Sequence, residues 1–102
     1  MQLNDYQQGA ARTRNPALSD RDRLLDAASG LAEESGEVLG LVRKHLMQGK
    51  PLERPRLVHE LGDVLWCLAA VANDAGITLA EVADANLAKL RERHPAGFTR
   101  SS

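Results

Sequence analysis

The chain has 102 residues, which is the length of one small domain. Apolar residues make up 43% of it but aromatic residues only 3%, so its core must consist of leucine, valine and alanine. Thirteen basic and fourteen acidic residues give a net charge of −1, which argues against a nucleic-acid polymer or a membrane surface as a partner.

Cysteine content and hydropathy also indicate where in the cell the protein lies. A single cysteine, Cys67, excludes an intramolecular disulfide. No segment is long and apolar enough for a membrane span, and the start of the chain lacks the apolar run of a signal peptide. By elimination, we expect a cytoplasmic protein without membrane contact. A chain this short buries a modest fraction of its surface alone, so we also expect self-association.

Start and stop signals predict two helices in the first half of the chain. Asn4, with Gln7 three residues later, predicts the N-cap of a first helix that ends near Arg14, before an Asn-Pro break. Ser19 predicts the N-cap of a second, long helix that ends at Gly49.

Two further helices are predicted in the second half. Pro55 suits the first turn of a third helix, which ends at Gly76. Thr78 and Glu81 form a capping box for a fourth helix, which ends near His94 because a proline follows. No segment shows the alternation of apolar and polar residues that is typical of a strand. We therefore predict an all-α four-helix bundle, completed by oligomerisation, with one domain over residues 1–98 and a flexible tail over 99–102.

Two acidic pairs lie inside these apolar helical segments. Glu34 and Glu37 belong to the sequence E-E-S-G-E, and Glu60 and Asp63 belong to H-E-L-G-D. Each pair has i, i+3 spacing, so both of its carboxylates leave one side of a helix. Four converging carboxylates repel one another unless cations join them. The pattern predicts a divalent metal site, most naturally for Mg²⁺, which prefers oxygen ligands.

A solvated acidic face remains the simpler interpretation for either pair alone. In helical projection, however, Glu33, Glu34 and Glu37 share one arc of about 100°. Gly30 lies in the middle of that arc and leaves room for an ion or ligand. The second acidic pair borders an apolar stripe of the third helix. Because buried charge is costly, two such pairs on consecutive helices favour a ligand role.

The order E-E-x-x-E followed by E-x-x-D resembles the MazG-type nucleoside triphosphate pyrophosphohydrolases. This all-α superfamily also includes dimeric dUTPases and dCTP pyrophosphatases. The resemblance extends over most of the chain. Residues 6–7 and 11–13 resemble the opening of short MazG-like proteins. Asn86, Lys89 and Arg93 match a pattern N-x-x-K-x-x-x-R, which the sequence H-P-A-G-F follows.

The resemblance implies that Glu34, Glu37, Glu60 and Asp63 form a site for Mg²⁺, or for Mn²⁺ in its place. It also implies that water attacks the α-phosphorus of a nucleoside triphosphate and that a nucleoside monophosphate and pyrophosphate are released, as in nucleotide-pool cleaning. Glu33 is a spare carboxylate that could accept the proton of the water or make an outer contact.

The resemblance further implies that Lys89 and Arg93 hold the phosphate tail. Without it, a solvated face of the fourth helix is the simpler interpretation of these two cations. Asn86 could contact the sugar or base, or bond only to backbone. Trp66 could stack on a base or lie between subunits, whereas Cys67 suits core packing.

The family builds its sites within dimers or dimers of dimers, so we expect a homodimer or homotetramer. The preferred base cannot be deduced from the sequence. A second hypothesis is a non-catalytic helical oligomer that binds nucleotide or metal as a sensor or interaction module. Pyrophosphate release from a panel of nucleoside triphosphates separates the two hypotheses.

Overall fold

The computed structural model describes residues 1–98 and consists of four α-helices. These are α1 (Leu3–Ala11), α2 (Asp20–Gln48), α3 (Arg54–Asp74) and α4 (Leu79–Arg93). No strand occurs in this part of the chain, so the all-α prediction is confirmed. The predicted tail over 99–102 lies outside the described residues, and the domain boundary at 98 stays a prediction.

The helices α2 and α3 form an antiparallel hairpin. Helix α1 packs against α3, and α4 packs against α1. Gly49 ends α2 with a φ of 68°, a left-handed conformation that glycine adopts without steric cost. Ser19 caps α2 as predicted, since its Oγ accepts a hydrogen bond of 3.2 Å from the backbone N–H of Asp22. Thr78 caps α4 in the same way, at 3.1 Å from the N–H of Glu81. Pro55 lies in the first turn of α3.

The predicted boundaries of α1 are wrong at both ends. Its N-cap is Gln2, which makes no side-chain capping bond. Asn4 lies inside the helix instead, and its Oδ1 accepts a bond of 3.0 Å from the backbone N–H of Ala80 in α4. The helix also ends at Ala11, where the chain turns: the backbone N–H groups of Thr13 and Arg14 donate to the carbonyls of Ala10 and Ala11. At the start of α1, a tertiary contact of Asn4 therefore replaces the local capping bond.

A buried glutamine joins α1 to the turn between α3 and α4. Gln7 is 5% exposed. Its Nε2 donates to Asn73 Oδ1 at 3.0 Å and to the carbonyl of Ile77 at 2.8 Å. Its Oε1 accepts from the N–H of Leu79 at 2.7 Å, which satisfies a free donor at the start of α4. Together with Asn4, this network fixes where α4 begins.

The hydrophobic core of one chain is small and made mostly of small side chains. The buried apolar residues are Ala27, Cys67, Ala69, Ala70, Ala72 and Leu79. Large apolar side chains remain exposed along the hairpin, including Leu39, Leu46, Met47 and Val58. No single helix among residues 1–98 meets the length and hydropathy expected of a membrane span; only α3 and α4 taken together do, and they meet at a bend of 102°.

Candidate active site

Three of the four predicted metal ligands converge on the hairpin. One carboxylate oxygen from each of Glu34, Glu60 and Asp63 lies within 4.8 Å of the others. Glu34 projects from α2, whereas the i, i+3 pair Glu60 and Asp63 projects from the facing side of α3. Glu34 and Glu60 are partly buried and Asp63 is exposed. The three oxygens are close enough to bind one cation together.

The other two acids of α2 lie at the edge of this cluster. Glu37 is exposed and does not belong to the group of three. Glu33 is also exposed, and it lines the cavity beside the cluster. Both carboxylates nonetheless repel Glu34. Their assignments, Glu37 as a fourth ligand and Glu33 as a spare carboxylate, stay predictions.

An open cavity of ≈ 310 Å³ lies next to the acidic cluster between α2 and α3. Its walls are acidic or small apart from one indole, and they consist of Asp26, Ser29, Gly30, Glu33, Glu34, Asp63, Trp66 and Cys67. Gly30 permits the close approach of the two helices, because a Cβ there would lie 3.0 Å from the Sγ of Cys67. The cavity therefore joins the acids to the single tryptophan of the chain.

The electrostatics of the cavity are those of an uncompensated negative site. Desolvation raises the pKa of Glu34, and repulsion by Asp63, Glu60, Glu37 and Glu33 raises it further, in that order. Burial also raises the pKa of Cys67, with smaller contributions from Glu34 and Asp63 among the nearby acids, so the thiol stays neutral. The repulsion among the carboxylates favours a cation in the cavity.

No basic side chain of the described residues supplies that cation. Ion pairs in this part of the chain join Arg14 to Asp74 and Arg21 to Asp22. The acids of the cluster therefore lack the lysine or arginine partners that an ordinary charged helix face would have.

The basic residues of α4 do not reach the acids within one chain. Asn86, Lys89 and Arg93 are exposed, and none of them lines the cavity. The helix that carries them packs against α1 rather than against α2. Their role at the phosphates stays a prediction.

Sequence reasoning missed two groups of residues at the cavity. Asp26 lies seven residues before Glu33, two turns earlier on the same face of α2, so its spacing could have revealed it. Thr13 and Arg14 contact Trp66 from the segment after α1. Their partners are too distant in sequence for a local pattern to show this.

Comparison with known proteins agrees with this geometry. A family model described as the MazG nucleotide pyrophosphohydrolase domain matches residues 24–98. The chain belongs to the MazG family. The match includes the acidic cluster, Trp66 and the basic residues of α4, whereas α1 lies outside it.

One curated relative matches the MazG chain along its whole length. It is the Gene 37 protein of Mycobacterium phage L5, which is 34% identical over 110 residues, with 100% of this chain and 96% of the relative covered. The comparison with solved structures gave no significant match. Membership in this family indicates a pyrophosphohydrolase that acts on nucleotides, and the acidic cluster suits its metal dependence.

Proposed function

We propose that the protein hydrolyses nucleoside or deoxynucleoside triphosphates to the monophosphate and pyrophosphate, with Mg²⁺ as cofactor, and thereby removes unwanted nucleotides from the cytoplasmic pool. The observation that supports this most directly is the convergence of Glu34, Glu60 and Asp63 without a basic partner. Family membership supplies the reaction class.

The donor set fits a hard divalent cation. Glu34, Glu60 and Asp63 offer carboxylate oxygens, the ligand type that Mg²⁺ and Mn²⁺ prefer. Glu37, one turn further along α2, would supply a fourth carboxylate. When bound, such an ion neutralises phosphate charge and lowers the pKa of a coordinated water.

The side chains of the cavity have distinct parts in the proposed reaction. With a divalent cation bound, the acidic cluster would hold the triphosphate end of the substrate through that cation. Glu33, exposed on the wall, is available to accept the proton of the attacking water. The water oxygen forms a bond to the α-phosphorus, the bond from this phosphorus to the bridging oxygen breaks, and pyrophosphate leaves with the bond electrons.

A homodimer or homotetramer is part of the proposal. Lys89 and Arg93 would hold the phosphate tail, Arg93 in a bidentate contact, and Asn86 would contact the sugar or base. In one chain, α4 lies away from the cavity and its basic residues are exposed. A second copy that covers the exposed apolar side of the hairpin brings these groups to the site.

The decisive experiment measures pyrophosphate release from a panel of canonical and modified nucleoside triphosphates with Mg²⁺. We expect release from at least one of them, and no release from the Asp63→Asn variant. A wild-type protein that binds nucleotide but releases no pyrophosphate, even at high protein concentration, would favour the non-catalytic sensor module instead.

A further inference from the structure

We propose that Trp66 is the surface on which the nucleobase of the substrate stacks, and that Thr13 and Arg14 hold the indole ring in place. This inference rests on the proposed function, because it concerns the nucleoside end of the same cavity. It assigns a binding role to Trp66 and positioning roles to two residues of the segment after α1.

Trp66 lies where the nucleoside must extend. It lines the cavity together with Glu34 and Asp63, and it follows Asp63 by three residues on α3. Three residues correspond to roughly 4.5 Å along the helix axis, so the ring lies about one turn beyond the acids. A substrate whose phosphates are held at the acidic cluster therefore has its sugar and base beside this side chain.

The remaining cavity wall offers nothing else for a base to stack on. Apart from Trp66, the residues that line the cavity are carboxylates or the small side chains of Ser29, Gly30 and Cys67. Carboxylates offer no apolar surface to a base, so the indole is the one large apolar side chain in the cavity wall. Base–aromatic stacking contributes about 1–3 kcal/mol per base, enough to matter for nucleotide affinity.

Two residues of the segment after α1 contact the ring, and the hydroxyl of one of them, Thr13, also donates a hydrogen bond of 2.7 Å to the carbonyl of Ala10 at the end of α1. The indole Nε1 donates a hydrogen bond of 2.7 Å to the Oγ1 of Thr13. The guanidinium carbon of Arg14 lies 5.8 Å from the ring centroid, within the range of a cation–π contact. Both residues belong to the turn that follows α1.

Arg14 is itself firmly held. Its two terminal nitrogens donate to the two carboxylate oxygens of Asp74 at 3.1 and 2.9 Å, and one of them also donates to the carbonyl of Ala70 at 3.2 Å. A side chain held in this way cannot move with the substrate. The orientation of the indole is therefore set before a nucleotide binds, which lowers the entropic cost of binding.

The same contacts predict what kind of selectivity Trp66 provides. Its single donor, Nε1–H, is already bonded to Thr13, so it has no hydrogen bond left for the edge of a base. Every base has a π-face, and stacking alone is tolerant of base identity. Trp66 should raise the affinity for nucleosides of all bases by a similar factor.

Because Trp66 is the single tryptophan of the chain, its fluorescence reports directly on the proposed contact. The probes are a triphosphate analogue with a methylene group between the α- and β-phosphorus, which cannot be hydrolysed there, and inorganic tripolyphosphate, which has no base. Both are titrated with Mg²⁺ present. We expect quenching by the analogue and little change with tripolyphosphate, while both compete with the substrate.

Kinetics provide the second readout. Trp66→Leu should raise KM for nucleoside triphosphates by about 5- to 150-fold, the range of base–aromatic stacking, whereas Trp66→Phe should recover much of the loss. The inhibition constant of tripolyphosphate should stay unchanged in both variants. Thr13→Val keeps the shape of the side chain but removes the hydroxyl, and we expect a smaller rise in KM with little change in kcat.

Three outcomes would overturn the inference. They are an unchanged KM in Trp66→Leu, a parallel rise in the inhibition constant of tripolyphosphate, and a change in oligomeric mass that accounts for the loss. Failure of the proposed function has a different signature, since it would abolish pyrophosphate release in the wild type. Quenching by the analogue would still decide whether Trp66 contacts a base.

Discussion

At the scale of single residues, Glu34 has the clearest electrostatic penalty in the cavity. Its pKa is raised, first by desolvation and then by the neighbouring carboxylates. Well below the ordinary pKa of glutamate, the side chain is neutral in both folded and unfolded chains, so it carries no penalty. As the pH rises, the unfolded chain ionises first. The free energy of unfolding then falls as the pH rises from the ordinary pKa of glutamate to the raised pKa of Glu34 in the folded chain. Above that raised pKa, the loss of stability caused by Glu34 stays constant.

We therefore predict that Glu34→Gln abolishes pyrophosphate release while the metal-free protein melts at the same or a higher temperature at pH 7. Any increase in the melting temperature of Glu34→Gln over the wild type should vanish below the ordinary pKa of glutamate. Thermal melts in EDTA at a series of pH values measure this. Mg²⁺ should raise the melting temperature of the wild type and of the exposed control Glu92→Gln, but not of Glu34→Gln. Equal stabilisation of all three proteins by Mg²⁺ would contradict the ligand assignment.

The basic residues of α4 provide a prediction that separates binding from folding. Lys89→Met keeps the aliphatic part of the side chain and removes only the charge. We expect a large rise in KM, or a loss of kcat if the charge acts mainly in the transition state, with a nearly unchanged melting temperature. Lys44→Met, an exposed lysine of α2 outside the cavity, should leave the kinetics unaffected. If kcat/KM were unchanged in both Lys89→Met and Arg93→Met, the residue roles implied by the family would hold for the acidic residues alone.

At the scale of elements, the position of α4 depends on a glutamine of α1. Gln7 bonds to Asn73, to the carbonyl of Ile77 and to the N–H of Leu79. Gln7→Leu keeps the volume but leaves these groups without their partner, so we predict a loss of about 2–3 kcal/mol in the free energy of unfolding. Urea denaturation measures this loss. Gln8→Leu, its exposed neighbour, should change stability by less than about 0.5 kcal/mol, and equal effects of the two variants would argue against the network.

The same elements explain how far the sequence predicts the structure. Ser19, Gly49 and Thr78 mark helix ends correctly because their capping bonds are local. Asn4 has the same local signal, but its side chain bonds to the start of α4, 76 residues away in sequence. A local pattern does not predict such a contact.

The candidate site divides in the same way. The i, i+3 spacing within each acidic motif and the short connection between α2 and α3 make the convergence of Glu34, Glu60 and Asp63 predictable. The contact between Trp66 and Thr13 spans 53 residues of sequence, and that between Arg14 and Asp74 spans 60. Nothing in the sequence near either end indicates the partner, so these contacts emerge only from the structure.

At the scale of the whole molecule, the apolar surface is distributed unusually for a protein that remains a single chain. Five of the six buried apolar residues are alanine or cysteine. Meanwhile Leu39 and Val58 of the hairpin are 58% and 59% exposed, and Leu46 and Met47 are 71% and 79% exposed. Exposed apolar side chains along one pair of helices are typical of a surface that another protein chain covers.

We predict that a dimer or tetramer dominates at micromolar concentration, with a mass by light scattering that is a multiple of the 11.1 kDa chain. Leu39→Asp places a charge on the exposed apolar surface of the hairpin, so it should shift the mass towards the monomer. If α4 of a second copy completes the site, pyrophosphate release should fall in parallel with assembly. Leu3→Asp, which introduces the same charge in the first turn of α1, should leave both mass and activity unchanged. A monomeric wild type with full activity would show that one chain suffices. It would contradict the proposal that basic residues of α4 from a second copy contact the phosphates.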